Sequence, residues 1–185
     1  MSRDYQVTEI HTLSAEPQTF ALNNSRDMLK KLRWEIEGLR SETGYPGWQE
    51  VAYRAFNCAI TAWSLADWLW GDLSDAQKHD FGGKDTRFRA HCMESTRALE
   101  MCESLANSSK HRTRRSQQFK ASIVAKMMAQ VDHLSVGDPV GRPLDTWQWK
   151  AIVLHHAVEY EAIAIFDEAH ADWLALINKY DASVV

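Results

Sequence analysis

The sequence of 185 residues predicts an α+β fold, in which an antiparallel helical bundle is followed by a small antiparallel β-sheet and a C-terminal helix. Apolar residues recur at helical spacing in the first half of the chain and near its end, whereas in between they alternate with polar residues, as in a strand. The length and the apolar content of 45% suit one core. We assign residues 1–15 to an N-terminal lead-in and 16–185 to a single domain, with the bundle over 16–108, a β-meander over 116–157 and the last helix over 160–180.

Three helices are expected in the bundle. The first begins near Pro17, which suits the first helical position, and ends before the breaker at 44–47. The second runs from Trp48 to Trp70 along an apolar stripe whose middle consists of small residues, so that a neighbouring helix can approach closely. The third runs from Asp85 to Ala106 and stops at 107–109. Short polar connections favour antiparallel packing of these helices.

The sheet is predicted to begin near Phe119. All odd positions from 119 to 131 are apolar and five of the seven even positions from 120 to 132 are polar, which favours a strand, although four of the apolar residues also fit one face of a helix. Glycine and proline residues at 137–143 mark a turn. The residues from Thr146 to His155 favour β structure and are expected to pair back antiparallel.

Charge and composition exclude several classes of protein. The formal net charge of −4 excludes a uniformly basic nucleic-acid coat. No apolar run approaches the length of about 18 residues that spans a bilayer, and the polar start lacks a signal-peptide core. Cys58, Cys92 and Cys102 form no C-x-x-C pair, so we expect buried thiols rather than disulfides or a zinc site. We therefore expect a cytoplasmic protein with no membrane partner and no cofactor.

Tryptophan is unusually frequent, with eight residues that include clusters at 63–70 and 147–149. Each such side chain buries about 150–250 Å², so we expect most of them in the core or in an interface with another protein. Stacking on nucleic-acid bases is the alternative use of these rings.

A basic segment after the third helix is the most informative feature for function. Between Ser104 and Val131 the chain has six cationic residues and no acidic one, which leaves a net charge of −10 for the rest of the chain. The six cations are Lys110, Arg112, Arg114, Arg115, Lys120 and Lys126. Clustered guanidinium groups offer paired donors to phosphate. The predicted ligand-binding residues at this junction are Asn107, Lys110, Arg112, Arg114 and Arg115. The alternative is a solvated loop, or pairing of these cations with the acidic residues near the last helix.

His111 is the predicted catalytic base. Neighbouring cations disfavour a protonated imidazole, so a neutral His111 can take the proton of an RNA 2′-hydroxyl while the cations stabilise the phosphorane that follows. His91 is the candidate second member of the acid–base pair. This combination predicts a metal-independent endoribonuclease. The alternative is that Asn107 caps its helix and His111 binds the backbone.

Two motifs resemble a group of poorly characterised bacterial and phage proteins. The first, A-x-x-x-x-D-W, spans Ala62–Trp68, and the second, C-x-x-x-A-N-x-x-K-H, spans Cys102–His111. The likeness covers roughly residues 57–180, and its helical half is similar to the HEPN superfamily. The resemblance implies a HEPN-like bundle and, as in many members, metal-independent RNase activity in toxin–antitoxin or phage-defence systems. Active members carry an arginine a few residues before the histidine, whereas here the arginines of the segment follow His111.

Asp67 and Trp68 are the remaining predicted ligand-binding residues. Asp67 lies beside the apolar stripe of the second helix, where a carboxylate needs a partner, and Lys110 or His111 is the candidate. An exposed Asp67 near a helix end is equally expected.

A metal site is not predicted. Asp167 and His170 give only one imperfect copy of the pair that a di-iron bundle requires twice. His155 and His156 are expected on opposite faces of a strand.

These observations lead to one main functional hypothesis and two alternatives. The main hypothesis is a HEPN-like protein of a bacterial or phage conflict system that binds RNA or another phosphate ligand at the Asn107–Arg115 junction, with RNA cleavage as its bolder form. The first alternative is a non-enzymatic interaction module, a homodimer or a partner of another protein, that uses Trp-rich surfaces. The second is a small-molecule pocket lined by Trp63, Trp68 and His91.

Overall fold

A computed structural model describes residues 22–41, 47–110, 121–131 and 145–181 of the chain. Its helices are α1 (Ser25–Ser41), α2 (Trp48–Asp72), α3 (Asp75–Asp80), α4 (Asp85–Ser95), α5 (Arg97–Lys110) and α6 (Ala162–Tyr180). Its strands are β1 (Ala121–Val131), β2 (Asp145–His155) and β3 (Val158–Glu161). The α+β class, the antiparallel sheet and the C-terminal helix are therefore confirmed. The predicted lead-in over 1–15 and the predicted turn at 137–143 lie outside the described residues.

Helix α2 is the centre of the molecule. It packs against α1, α4, α5, α6 and the two long strands. Small residues dominate its buried stripe, which includes Ala55, Cys58, Ala59 and Ala62. Because these side chains are short, the surrounding helices can approach closely, as the sequence predicted.

Helix α1 begins at Ser25, so the predicted helix does not run unbroken from Pro17, a position outside the described residues. Residues 22–24 are not helical. The Asn24 side chain accepts a hydrogen bond from the backbone N–H of Asp27 at 3.0 Å, and the Asp72 carboxylate accepts one from the backbone N–H of Ser25 at 2.7 Å. The first N–H groups of a helix need such acceptors, so the asparagine decides where α1 starts.

The predicted third helix is two helices, α4 and α5. Between them Thr96 is extended, with φ −154° and ψ 149°, and its hydroxyl accepts a hydrogen bond from the backbone N–H of Leu99 at 3.3 Å. A threonine in this geometry starts a new helix.

Helix α5 continues to Lys110, so the predicted stop at residues 107–109 was wrong. The Ser108 hydroxyl donates to the Leu105 carbonyl at 2.7 Å, and the Asn107 amide donates to Glu103 at 3.4 Å. Both side chains are thus satisfied along the helix and do not end it. Asn107 therefore does not cap α5.

The sheet has the order β1-β2-β3 and is antiparallel throughout. The strand predicted over 119–131 is confirmed over Ala121–Val131, and β2 begins one residue before the predicted Thr146. Strand β3 was not predicted. It follows a two-residue turn in which His156 and Ala157 have φ of 49° and 64°. Such hairpins are usually marked by asparagine or glycine, so this turn leaves no sequence signal.

The sheet is anchored to the bundle at its first residue. The backbone N–H of Ala121 donates to the hydroxyl of Ser104 on α5 at 2.9 Å, in a buried environment. Ala121, Ala151 and Val153 contribute to the common core. The ends of the segment between α5 and β1 are therefore attached to the same helix.

The tryptophans are divided between core and surface. Trp173 of α6 is fully buried, and Trp68, Trp70 and Trp149 are half-buried against the core. Trp34 of α1, in contrast, is 74% exposed. Across the part of the chain that the structure describes, none of the helices combines the length and the apolar character that a bilayer crossing demands.

The three cysteines are buried and free, as predicted. Burial raises the pKa of the Cys58 and Cys92 thiols to about 12, and it raises the pKa of the Cys102 thiol further. All three are therefore protonated at neutral pH.

Candidate functional site

A cavity of about 300 Å³ lies between α2, α4 and α5. We call it the Trp63 cavity. It brings together Asp67 and Asn107, two of the predicted ligand-binding residues. Its other lining residues are Trp63, Ser64, Thr86, Arg89, Met93 and Glu103.

Helical spacing explains why these side chains converge. Side chains three, four and seven positions apart share one face of a helix. On α4 this relation holds for Thr86, Arg89 and Met93, and on α5 it holds for Glu103 and Asn107. The sequence named Trp63 as a pocket residue together with Trp68 and His91, neither of which lines this cavity. Arg89 and Glu103 were missed, because the packing of α4 against α2 and α5 cannot be read from spacing alone.

Carboxylates dominate the described charges at the Trp63 cavity. The Arg89 guanidinium contacts Asp67 at 2.7 Å and Asp85 at 3.1 Å, while Glu103 accepts the hydrogen bond of Asn107. The lining residues of the cavity therefore include two carboxylates, Asp67 and Glu103, and one guanidinium, Arg89. The Arg89 Nε atom is buried and has no hydrogen-bond partner among the described residues. The described walls of the cavity thus carry more negative than positive charge.

Asp67 pairs with Arg89, whereas the predicted partners, the Lys110 side chain and His111, lie outside the described part of the chain. Its side chain is 58% exposed, which agrees with the alternative of an exposed carboxylate. Trp68, its neighbour, packs against the core and does not line the Trp63 cavity.

Most of the predicted cationic site lies outside the described residues. This applies to His111, Arg112, Arg114, Arg115 and Lys120, and of Lys110 only the backbone at the end of α5 is described. On the N-terminal side this segment follows Lys110, the last residue of α5. On its C-terminal side comes Ala121, whose backbone N–H is hydrogen-bonded to Ser104 of α5.

Lys126, the last of the six cations, lies in β1 and forms an ion pair. Its ammonium group contacts Glu159 of β3. Glu161 pairs with Lys150 at 2.8 Å, and Asp167 of α6 pairs with Arg40 of α1 at 2.6 Å. Two of the acidic residues near the last helix, Glu161 and Asp167, thus pair with cations outside the basic segment.

His91 lies away from the Trp63 cavity. Its Nε2 atom is 3.3 Å from the Tyr180 hydroxyl, and its ring packs 5.5 Å from the ring of Phe81. Two residues along a helix correspond to a rotation of about 200°, so His91 and Arg89 lie on opposite faces of α4. The structure therefore does not bring His91 together with Trp63 and Asn107.

A second cavity, of about 770 Å³, lies between α4, α5 and the β2–β3 turn. His155 and His156 both line it, with ring centroids 4.3 Å apart. The prediction that they point to opposite faces was wrong, because the backbone at His156 has left the strand with a positive φ. Within the described ranges no three His, Cys, Asp or Glu side chains form a group that could hold a metal ion.

Comparisons of the chain with protein-family models, with curated proteins and with solved structures found no match. The HEPN-like assignment stays a prediction that rests on the two sequence motifs.

Proposed function

We propose that the protein is a HEPN-like component of a bacterial or phage conflict system that binds RNA or another phosphate-bearing ligand next to the end of α5. The ligand contacts come from the basic segment between Lys110 and Lys120. What chiefly supports this proposal is the pairing of two acidic residues that were candidate partners for the segment. Glu161 pairs with Lys150 and Asp167 pairs with Arg40, so both carboxylates already have cations from other parts of the chain.

The position of the segment also supports the proposal. It leaves α5 at Lys110 and rejoins that helix through the hydrogen bond between Ala121 and Ser104. Five cations thus belong to a short connection between two points of one helix. The A-N-x-x-K-H motif coincides with the end of α5, since Asn107 lies in its last turn and His111 follows its last residue.

The bolder form of the proposal is metal-independent RNA cleavage. Neutral His111 takes the proton of a 2′-hydroxyl, and the 2′-oxygen attacks the adjacent phosphorus. The bond from phosphorus to the 5′-oxygen breaks, the 5′-oxygen takes a proton from water, and a 2′,3′-cyclic phosphate remains. The arginines stabilise the charge of the phosphorane. The aromatic surroundings of His91 give no support for its role as the acid.

RNA binding is tested by fluorescence anisotropy with a labelled single-stranded RNA. Five phosphate contacts predict a loss of affinity of about a hundredfold between roughly 50 and 200 mM salt. The triple variant Arg112→Ala/Arg114→Ala/Arg115→Ala should lose most binding. Lys126→Ala is the matched control and should bind normally, because Glu159 already pairs with Lys126. Absence of binding by the wild-type protein at low salt would refute the proposal.

Cleavage is tested by incubating RNA with the protein in the presence of a chelator. We expect products that end in a 2′,3′-cyclic phosphate, and we expect none with His111→Ala. Cleavage that persists in His111→Ala would remove this histidine from the mechanism.

Exposed aromatic side chains favour the interaction module as a second candidate function. Trp34 of α1 is 74% exposed, and Tyr53 and Trp48 of α2 are 65% and 50% exposed. Interfaces are enriched in these residue types. Size-exclusion chromatography with light scattering should then show a dimer that Trp34→Ala weakens. A strict monomer that captures no protein partner would contradict this candidate.

A further inference from the structure

The Trp63 cavity has a composition that phosphate binding alone does not explain. We propose that it binds a nucleobase, with guanine preferred over the other bases. This inference rests on the proposed function, because it supplies the base site for the RNA whose phosphates the basic segment contacts.

The dimensions of the cavity fit a single base. Its volume of about 300 Å³ lies at the lower end of the range for small-molecule sites. Trp63 is half-buried in its wall and offers a flat ring for stacking, and Met93 adds a polarisable side chain. Sequence-specific recognition of RNA typically uses such aromatic platforms for unstacked bases.

The charges of the cavity favour a base over a phosphate group. Asp67 and Glu103 repel an anion but accept hydrogen bonds from ring and amino N–H groups. Guanine presents two adjacent donors on one edge, at N1 and at the exocyclic amino group, and these match the two oxygens of one carboxylate. The Asn107 amide lies beside Glu103 and can donate to the guanine O6 atom. Uracil has one such donor between two acceptors, so the carboxylates disfavour it.

The position of the cavity along α5 fits one nucleotide. Asn107 precedes Lys110 by three residues, a rise of about 4.5 Å along the helix. A base and its own phosphate are separated by a similar distance. A nucleotide whose base enters the Trp63 cavity therefore presents its phosphate toward the end of α5.

The test compares three labelled strands of equal length in the anisotropy assay: guanosine-rich RNA, uridine-only RNA and an abasic ribose–phosphate strand. The wild-type protein should bind the guanosine strand about tenfold or more tightly than the abasic strand, because stacking on an aromatic ring is sequence-tolerant but needs a base. Trp63→Ala should reduce this difference to less than about threefold, and Glu103→Gln should reduce the preference for guanosine over uridine. Leu174→Ala replaces an exposed apolar side chain of α6 outside the cavity and is the control.

The outcomes separate this inference from the proposed function. Equal wild-type affinity for the guanosine and abasic strands overturns the base site and leaves the phosphate site intact. Failure of all three strands to bind at low salt overturns both. If Trp63→Ala does not fold, two milder variants test the base site. Trp63→Phe keeps an aromatic ring and should keep the difference between the guanosine and abasic strands. Glu103→Gln keeps the shape of the side chain and removes its charge. An undiminished preference for guanosine in Glu103→Gln overturns the guanine assignment.

Discussion

Trp173 of α6 is the largest fully buried side chain in the described core. Its indole N–H has no hydrogen-bond partner among the described residues. Trp173→Ala should lower the free energy of unfolding by about 3–5 kcal/mol, because it removes packing and leaves a cavity. Trp173→Phe should cost clearly less, since the phenyl ring fills most of the space and an unpaired buried donor is removed. Urea denaturation measures both values. A loss for Trp173→Phe equal to that for Trp173→Ala would show that the indole N–H is satisfied.

Single residues also show how far the sequence defines the candidate site. Asp67 was expected to need a partner, and it has one, but the partner is Arg89. The position of a carboxylate beside an apolar stripe predicts that it will be paired, whereas the identity of the cation depends on how α4 packs against α2. The same packing creates the Trp63 cavity, of whose lining the sequence named Trp63, Asp67 and Asn107 but not Arg89 or Glu103.

At the level of the elements, the break between α4 and α5 depends on one hydroxyl group. Thr96→Ala should lower the free energy of unfolding by about 1 kcal/mol, because the backbone N–H of Leu99 loses its acceptor. Thr96→Ser keeps the hydroxyl and should be close to the wild type. Thermal or urea denaturation measures the difference. If Thr96→Ala and Thr96→Ser unfold alike, the break has another cause.

The elements that follow apolar periodicity were predicted well, and those that depend on local hydrogen bonds were not. The period of α2 indicates a helix because one of its faces is buried over many residues, and the alternation of apolar and polar residues in β1 indicates a strand. The start of α1 at Ser25 and the division at Thr96 depend on single polar side chains, which compete with periodicity only locally. Strand β3 is short and follows a turn without glycine, so nothing in its composition distinguishes it.

For the whole molecule, we expect mild acid to reduce stability in part through His170. Burial and the charge of Arg33 lower the pKa of the His170 imidazole, while Asp167 acts in the opposite direction. The ordinary histidine pKa is about 6.5 in the unfolded chain, which therefore takes up a proton first as the pH falls. The stability that neutral His170 contributes is fully present above about pH 6.5. It is lost as the pH falls through the pKa of His170 in the folded protein, which is lower than the pKa in the unfolded chain.

The urea concentration at the midpoint of unfolding measures this effect at about pH 7.5 and about pH 5.0. These two values lie on either side of the ordinary histidine pKa. His170→Gln should lose less stability between the two values than the wild type, and the exposed His79→Gln serves as the control. An identical loss in the wild type and in His170→Gln would assign the acid sensitivity to other groups.

The whole fold also distributes its charges unevenly. Arg40 of α1 pairs with Asp167 of α6, and Lys126 and Lys150 of β1 and β2 pair with Glu159 and Glu161 of β3. Ion pairs on a surface contribute about 0–1 kcal/mol each. Their main consequence is therefore the local balance of charge around α1, β3 and α6.

The raised pKa values of the cysteines make their thiols unreactive toward oxidants and alkylating reagents. With a pKa of about 12, Cys58 and Cys92 are thiolates in only about one molecule in a hundred thousand at neutral pH, and the thiolate is the form that oxidants and alkylating reagents attack. Glutathione disulfide and iodoacetamide consequently react with these two sulfur atoms only when the core opens. Where the reagent reacts faster than the core recloses, the rate of labelling equals the rate of opening.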